Sequence, residues 1–311
     1  MKIVFMGTPY FAVPILKILI EEHDVVLVVT QPDQKVGRKQ TIEKSPVKEL
    51  AETNHLPLFQ PEKIKTDYQK IMDLKPDIIV TAAYGQMLPK ALLEATTAIN
   101  VHGSLLPKYR GGAPIQYALF NGDQTTGVTI MHMALKMDAG DIILQKELSI
   151  LPNENVATLT NRLSLLGRDA LREALLLIEK KKAPRIPQDE TNVTYAPIIK
   201  PSDELLSFAQ STTMILNRLR GLTPEPGAYA VIKEHQLKIY NAKKSDIIND
   251  NKQRPGTVLQ IKKRLLVQTL DGVVELLEVQ WPGKRKMTAQ DFLNGQKVIA
   301  VGDVFESEEI K

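Results

Sequence analysis

The stretch AINVHGSLLPKYRGGAPIQ, residues 98–116, joins an apolar β-type segment directly to a polar turn rich in glycine and proline. Such a run predicts a buried strand of an α/β sheet. Asn100 and His102 lie two residues apart, so they point to the same face if the segment is extended. Ligands of parallel sheets bind beyond the carboxyl ends of the strands, which is where this turn falls. The stretch therefore predicts a strand with a site at its end.

A second polar cluster, MDAGDI at residues 137–142, offers a carboxylate partner for this histidine. Asp138 within hydrogen-bond reach would favour the protonated imidazole of His102 and fix its tautomer. The amide of Asn100 can donate to an oxyanion that develops on a carbonyl. These three side chains are the candidate catalytic group, because acyl transfer to an amine requires such groups. Alternatively, Asp138 is only a turn residue, since Asp and Gly both favour turns.

Composition limits the class of protein. The 311 residues suffice for two domains, and 43% hydrophobic with 24% charged residues is ordinary for a globular protein. A net charge of +4 excludes a general polyanion binder, so any nucleic-acid surface must be local. The absence of cysteine excludes disulfides, Cys-ligated zinc and thiolate catalysis. With no signal peptide and no membrane span in the sequence, we expect a cytoplasmic protein without membrane contact.

Strands and helices alternate in the N-terminal half, which predicts an α/β fold with a Rossmann-like parallel sheet covered on both faces. Its first turn, GTPYFA from Gly7, lacks the second glycine of the dinucleotide fingerprint, so we expect no NAD site. The strand candidates are residues 2–6, 25–29, 77–82, 98–102, 126–133 and 142–150.

The C-terminal part has a different pattern. An amphipathic helix predicted at 156–180 ends in the basic, proline-containing segment KKKAPRIPQDE, which is typical of a linker. A helix predicted at 205–221 precedes five short strand-like runs that turn residues separate, which suggests a small C-terminal β-barrel of the oligonucleotide-binding type. The predicted domains are a catalytic domain at 1–180, a basic linker at 181–204 and a β-barrel at 205–311.

Basic residues cluster in several places along the chain. Any one such run is usually a solvated face, but runs spread over both domains favour contact with a phosphate backbone. The candidate nucleic-acid-binding residues are Lys35, Arg38, Lys39, Lys181, Lys182, Lys262 and Lys263.

Several segments together carry a family resemblance: SLLPKYRGGAPIQ with the NVH before it, MDAGDI, the QPD and GRK segment with SPVK, and PGKRKMTAQDFLNG. They resemble the bacterial methionyl-tRNA formyltransferases over essentially the whole chain. NVHGSLLP with DxG is shared by the wider folate-dependent formyltransferase superfamily and specifies the chemistry. The QPD and GRK loop and the AQDFLNG tail specify the tRNA acceptor.

The resemblance implies transfer of the formyl group of 10-formyltetrahydrofolate to the α-amino group of methionine on initiator tRNA. It carries Asn100, His102 and Asp138 over as the catalytic group, makes the segment around Arg38 a loop that wedges into the acceptor stem, and makes the β-barrel a tRNA platform. We expect a monomer without a metal ion. The implied folate-binding residues are Ser104, Leu105, Leu106, Pro107, Tyr84, Gln86, Met87 and Leu88.

Four positions depart from the family pattern. Tyr109 and Glu225 stand where Trp is common, Gly112 where Ala is common, and Ile198 where Lys is common. Two other functions stay open: a folate-dependent formyltransferase that acts on a small amine such as a sugar nucleotide, and a nucleic-acid-binding module whose Rossmann-like half is catalytically dead. The first would not need the basic loop at 35–39 or a basic barrel.

Overall fold

The computed structural model describes residues 1–36, 41–247, 253–295 and 298–306, with only the backbone of residues 35 and 36. The described chain forms two compact units. The first comprises Met1–Pro114, Gln124–Ile150 and Leu159–Ile198, and the second Ile115–Asp123, Leu151–Thr158 and the described part of 199–311. Among the described residues, no helix combines the length and the apolar character that crossing a membrane demands.

The strands are β1 Lys2–Gly7, β2 Asp24–Val29, β3 Gln34–Val36, β4 Thr41–Glu43, β5 Leu58–Phe59, β6 Ile78–Ala82, β7 Thr97–His102, β8 Thr125–His132, β9 Ile142–Ser149, β10 Ala228–Ile232, β11 His235–Lys244, β12 Val258–Gln260, β13 Leu265–Gln268, β14 Val273–Gln280 and β15 Met287–Thr288. The helices are α1 Val13–Glu22, α2 Pro46–Thr53, α3 Ile64–Asp67, α4 Gln69–Leu74, α5 Lys90–Ala95, α6 Pro114–Phe120, α7 Val156–Glu179, α8 Thr212–Leu222 and α9 Ala289–Gly295.

The first unit is built on a mixed sheet, whose described strands follow the order β5-β2-β1-β6-β7-β8-β9. Strands β5, β2, β1, β6 and β7 are parallel, whereas β8 and β9 join the edge antiparallel. All residues of β6 are buried, as expected for a strand covered on both faces. The first four predicted strands agree with β1, β2, β6 and β7 to within one residue at each end, and the predicted α/β class is confirmed.

Helices cover both faces of this sheet. On one face, α7 packs closely at Gly167, where an added Cβ would lie 3.0 Å from Val101 Cγ1 and 3.6 Å from Ile15 Cδ1. On the other face, side chains of α3, α4 and α5 pack against β1, β2 and β6. The buried members of that cluster are Val4, Met6, Leu27, Val29, Ile64, Ile71, Ile79, Tyr84, Leu88, Leu92 and Ala98.

Helix α7 ends where the lysine run begins. Lys182 N–H donates to the Leu177 carbonyl at 2.8 Å, and Lys181 N–H donates to the Ile178 carbonyl at 2.9 Å. The backbone of Lys181 lies in the left-handed region, with φ of 56°. This is the Schellman arrangement, in which the last carbonyls of a helix are satisfied by the residues that leave it.

The second unit contains an antiparallel sheet whose described strands follow the order β10-β11-β14-β13-β12, with β15 paired to β14. This partly closed sheet confirms the β-barrel class. The helix predicted at 205–221 is wrong over its first seven residues, because α8 begins only at Thr212. Ser211 caps it by accepting from Met214 N–H at 3.2 Å, and Leu206 N–H instead donates to the Tyr229 carbonyl at 2.7 Å.

Candidate active site

Asn100 lies on β7 beside the carboxyl end of β6. Thr81 of β6 is its register partner, and the Thr81 hydroxyl donates to Asn100 Oδ1 at 2.8 Å. This hydrogen bond fixes the orientation of the amide and leaves the N–H groups on Nδ2 as the donors. Such folds bind ligands at the carboxyl edge of the parallel sheet. The Asn100 amide therefore lies where it can contact the carbonyl group of a bound substrate.

His102 ends the same strand and is 5% exposed. Its Nε2 lies 2.9 Å from the Tyr109 carbonyl oxygen. A carbonyl oxygen can only accept, so Nε2 carries a proton and donates it. Tyr109 adopts a left-handed φ of 64°, which turns this carbonyl back toward the strand. The loop after β7 therefore fixes the orientation of the imidazole ring. The other ring nitrogen, Nδ1, remains to face a partner carboxylate.

That partner is Asp138, in the turn between β8 and β9. Its Oδ1 lies 3.8 Å from His102 Nδ1, which is within ion-pair distance, and both side chains are largely shielded from solvent. The other oxygen, Oδ2, accepts from Gly111 N–H at 2.9 Å. Asp138 is left-handed, with φ of 49°. The fold thus brings together an imidazole and a carboxylate that are 36 residues apart in the sequence.

The SLLP segment is held by the neighbouring antiparallel strands. The Thr129 hydroxyl donates to the Ser104 carbonyl at 2.7 Å and accepts from Leu106 N–H at 3.0 Å. Gln145 Nε2 donates to the Leu106 carbonyl at 2.8 Å. Ser104 and Leu106 are both buried, and the Ser104 hydroxyl donates to the Lys108 carbonyl. These hydrogen bonds of Ser104 and Leu106 therefore fix the conformation of the loop. The peptide bond between Leu106 and Pro107 is cis.

The remaining predicted folate residues differ in exposure. Leu105 and Pro107 are half-buried, Met87 is 43% exposed, and Leu88 is buried in the core. Tyr84 is also buried, and its hydroxyl has no hydrogen-bond partner among the described residues. Burial alone raises the pKa of Tyr84 to about 12, so this phenol is neutral at ordinary pH.

Gln86 has local hydrogen-bond partners. Its Oε1 accepts from Ile64 N–H at 2.9 Å, at the start of α3, and its Nε2 donates to Gln31 Oε1 at 3.2 Å. Gln31 Nε2 in turn donates to the Tyr84 carbonyl at 2.9 Å. The residues after β6 are thus tied to those after β2, and Gln86 has a structural role that its sequence motif does not reveal.

The predicted basic residues lie in separate segments. Lys35 belongs to the β3–β4 hairpin by its backbone, whereas Arg38 and Lys39 lie outside the described residues. Lys181 and Lys182 are exposed at the end of α7, and Lys262 and Lys263 are exposed between β12 and β13. The sequence patterns do not single out Thr81, the Tyr109 carbonyl or Gln188.

Gly140 in the turn after Asp138 has no room for a side chain. A Cβ there would lie 1.7 Å from the His132 carbonyl oxygen. We expect Gly140→Ala to displace the turn, to lower the free energy of unfolding by about 1 to 3 kcal/mol, and to reduce turnover. Urea unfolding measures the first effect. Gly295→Ala at the end of α9 is the control, because no described heavy atom lies within 4 Å of its Cβ position; equal unfolding curves for both variants would contradict this geometry.

Comparison with known proteins relates these features to a family. A family model described as formyl transferase matches residues 1–175, and one described as formyl transferase, C-terminal domain, matches residues 198–297. The methionyl-tRNA formyltransferase of Latilactobacillus sakei subsp. sakei (strain 23K) is 48% identical over 309 residues, which is 97% of this chain and 96% of that protein. The same enzyme of Staphylococcus aureus (strain bovine RF122 / ET3-1) is 45% identical over 308 residues, 97% of this chain and 98% of that protein.

Solved structures share the fold at lower identity. HypX from Aquifex aeolicus, in complex with tetrahydrofolic acid, has a TM-score of 0.65 and 18% identity. The match covers 99% of this chain and 51% of HypX, so this chain spans about half the length of that protein.

Proposed function

Because the chain belongs to the methionyl-tRNA formyltransferase family, we propose that it transfers the formyl group of 10-formyltetrahydrofolate to the α-amino group of methionyl initiator tRNA. The observation that carries this proposal is that Asn100 and His102 lie on one strand, beside the carboxyl end of β6, with the Asp138 carboxylate 3.8 Å from His102 Nδ1. An amide donor, an imidazole and a carboxylate suit acyl transfer to an amine without a covalent enzyme intermediate.

The reaction begins with attack by a neutral amine. A free α-amino group has a pKa of about 8, so a substantial fraction is already nucleophilic near neutral pH and no strong base is needed. The nitrogen lone pair forms the new bond to the formyl carbon, and the carbonyl electrons move onto oxygen. Asn100 Nδ2 and Nδ1 of protonated His102 stabilise this oxyanion, because Nε2 of the ring already donates to the Tyr109 carbonyl, whereas Nδ1, at 3.8 Å from Asp138 Oδ1, is not hydrogen-bonded to it.

Asp138 supports the second half of the reaction. Its carboxylate lies 3.8 Å from His102 Nδ1 and orients the ring together with the Tyr109 carbonyl, which accepts from Nε2. Collapse of the tetrahedral adduct breaks the bond between the formyl carbon and folate N10. The proton lost by the attacking nitrogen passes by way of the Asp138 carboxylate to N10, which leaves formylmethionyl-tRNA and tetrahydrofolate.

The co-substrates use the surfaces around this group. Folate lies against the SLLP and YGQMLP segments, where the accessible side chains are Leu105, Pro107 and Met87, while Ser104, Leu106, Gln86, Tyr84 and Leu88 shape the wall. The basic loop with Lys35, Arg38 and Lys39, together with Lys181, Lys182, Lys262 and Lys263, binds the tRNA backbone. The protein acts as a monomer in the cytoplasm.

A coupled assay tests this function. The chain is incubated with 10-formyltetrahydrofolate and charged initiator tRNA, and formylmethionyl-tRNA and tetrahydrofolate are both quantified. We expect the two products in equal amounts, and none with uncharged tRNA, which lacks the α-amine. Folate turnover that leaves charged tRNA unformylated, or no turnover at all, would overturn the proposal.

Lys262 and Lys263 provide a test of the tRNA surface. Both are exposed, and if each contacts a phosphate, the double substitution Lys262→Ala/Lys263→Ala lowers the slope of log affinity against log salt by about 1 per contact. We expect a raised KM for tRNA and an unchanged KM for folate, measured by initial rates at several salt concentrations. Lys90→Ala, which removes an exposed lysine paired to Glu94 on α5, is the control. An unaltered salt slope in the double variant would remove these lysines from the tRNA surface.

A further inference from the structure

The segment 186–196, here called the return segment, runs beside the loop that follows His102 and the turn that contains Asp138. Ile186 pairs with Ile142 at the start of β9, with N–H to carbonyl distances of 2.8 and 3.0 Å. Farther along, Arg110 N–H donates to the Thr194 carbonyl at 2.9 Å, and Ala196 N–H donates to the Arg110 carbonyl at 2.8 Å. The return segment therefore bridges the turn that contains Asp138 and the loop after β7.

Gln188 of the return segment uses its whole amide in this bridge. Its Nε2 donates to the carbonyl oxygens of Asp138 and Gly140, both at 2.8 Å. Its Oε1 accepts from Nε and Nη2 of Arg110, at 3.0 and 2.8 Å. Two donors and two acceptor sites exhaust the hydrogen-bonding capacity of an amide, so the orientation of Gln188 is fixed from both sides.

Arg110 is itself immobilised. Its side chain is 1% exposed, and Nη2 also donates to Glu190 Oε1 at 2.7 Å. Hydrogen bonds from Arg110 and Lys136 lower the pKa of Glu190 to about 2, so this carboxylate is charged over the working pH range. A buried guanidinium must keep its partners, because a buried unpaired charge is costly. Arg110 thus supplies a rigid anchor for Gln188.

We infer that Gln188 is a positioning residue that holds the turn at Asp138–Gly140 so that the Asp138 carboxylate faces His102. Asp138 has a left-handed backbone, and such a conformation persists where the surroundings fix it. Gln188 fixes the turn through two backbone carbonyls, while Gly111 N–H fixes the carboxylate itself. This role rests on the proposed function, in which the contact between Asp138 and His102 matters for turnover.

Two substitutions distinguish a role of Gln188 in positioning the Asp138–Gly140 turn from a role limited to accepting hydrogen bonds from Arg110. Gln188→Glu keeps an acceptor for Arg110 but cannot donate to the two carbonyls. Gln188→Met has a similar length, adds no charge and loses all four hydrogen bonds. Gln69→Glu is the matched control, because Gln69 is exposed on α4 and its amide donates only to the Asp73 side chain among the described contacts.

We expect kcat to fall about 100-fold in both Gln188 variants, since a displacement of about 1 Å from the productive geometry costs this much. KM for 10-formyltetrahydrofolate stays unchanged, and Gln188→Glu melts at a higher temperature than Gln188→Met, because it keeps acceptors for Arg110. The ¹⁵N chemical shift of His102 Nδ1 moves in both variants and not in Gln69→Glu. The neutral Gln188→Met separates this movement from the effect of an added charge.

Wild-type kcat in Gln188→Glu, or a lowered melting temperature with unchanged kcat and ¹⁵N shift in Gln188→Met, would overturn the inference. A wild-type chain that does not formylate charged tRNA would instead overturn the proposed function. In that case the ¹⁵N shift alone decides whether Gln188 positions Asp138, so the two failures are distinguishable.

Discussion

Alanine in place of Asn100 or His102 is expected to lower kcat by a factor of 10² to 10³, while the chain stays folded. Removing one oxyanion donor raises the barrier by about 3 kcal/mol, because the charge on the tetrahedral adduct then lacks a fixed N–H group. Single-turnover rates with saturating folate and charged tRNA measure the effect. The double variant should lose less than the sum of the two single losses, since both donors serve one oxygen.

Asn54→Ala is the matched control for Asn100→Ala. Asn54 is exposed at the end of α2, and its amide donates to the Leu50 carbonyl at 2.8 Å, outside the loops that surround the catalytic group. Its activity should equal that of the wild type. Full activity in Asn100→Ala or His102→Ala, with circular dichroism confirming the folded state in each, would contradict the assigned roles.

Asp138→Asn is expected to lower kcat by about 10²- to 10⁴-fold with little change in either KM. The amide keeps the size of the carboxylate and an acceptor for Gly111 N–H, but it brings an NH₂ group toward His102 Nδ1 and cannot carry a proton. Steady-state kinetics with each substrate varied in turn separate kcat from KM. Asp141→Asn in the same turn is the control, because the described hydrogen bond of its side chain is a surface contact to Arg185 at 3.4 Å. Equal turnover in both variants would remove Asp138 from the reaction.

Strands β1, β2, β6 and β7 could be predicted closely because each is a largely apolar run that turn or polar residues bound. The shorter strands β3, β4 and β5 could not be predicted, for a physical reason. Strand β5 has two residues, and the β3–β4 hairpin lies in a polar segment, so neither shows the alternation that marks a strand. The apolar spacing of the sequence continues back to Leu205 and therefore predicts a helix that begins before α8. In the structure, the backbone of Leu206 instead pairs with Tyr229.

The candidate site was only partly predictable. Asn100 and His102 could be paired from their spacing on one strand, and Asp138 could be proposed as their acid from its motif. Every residue type has a backbone carbonyl, so the sequence could not predict the hydrogen bond between His102 Nε2 and the Tyr109 carbonyl. Gln188 lies 50 residues beyond Asp138 in a segment whose composition suggests a linker.

Two departures from the family pattern that look independent in the sequence are packed together in the structure. A Cβ on Gly112 would lie 2.5 Å from Ile198 Cγ1. The smaller residue at 112 therefore makes room for the branched side chain at 198. This explains both positions by one contact within the first unit, and it concerns packing, not the catalytic group.

In the proposed function, the amine acceptor arrives on a tRNA. The most direct measurement is the ratio of kcat/KM for methionyl initiator tRNA to kcat/KM for an amino-sugar nucleotide, with 10-formyltetrahydrofolate as the donor for the full chain. We expect a preference for the tRNA of at least about 10³-fold. A ratio near one, or a preference for the sugar nucleotide, would contradict it.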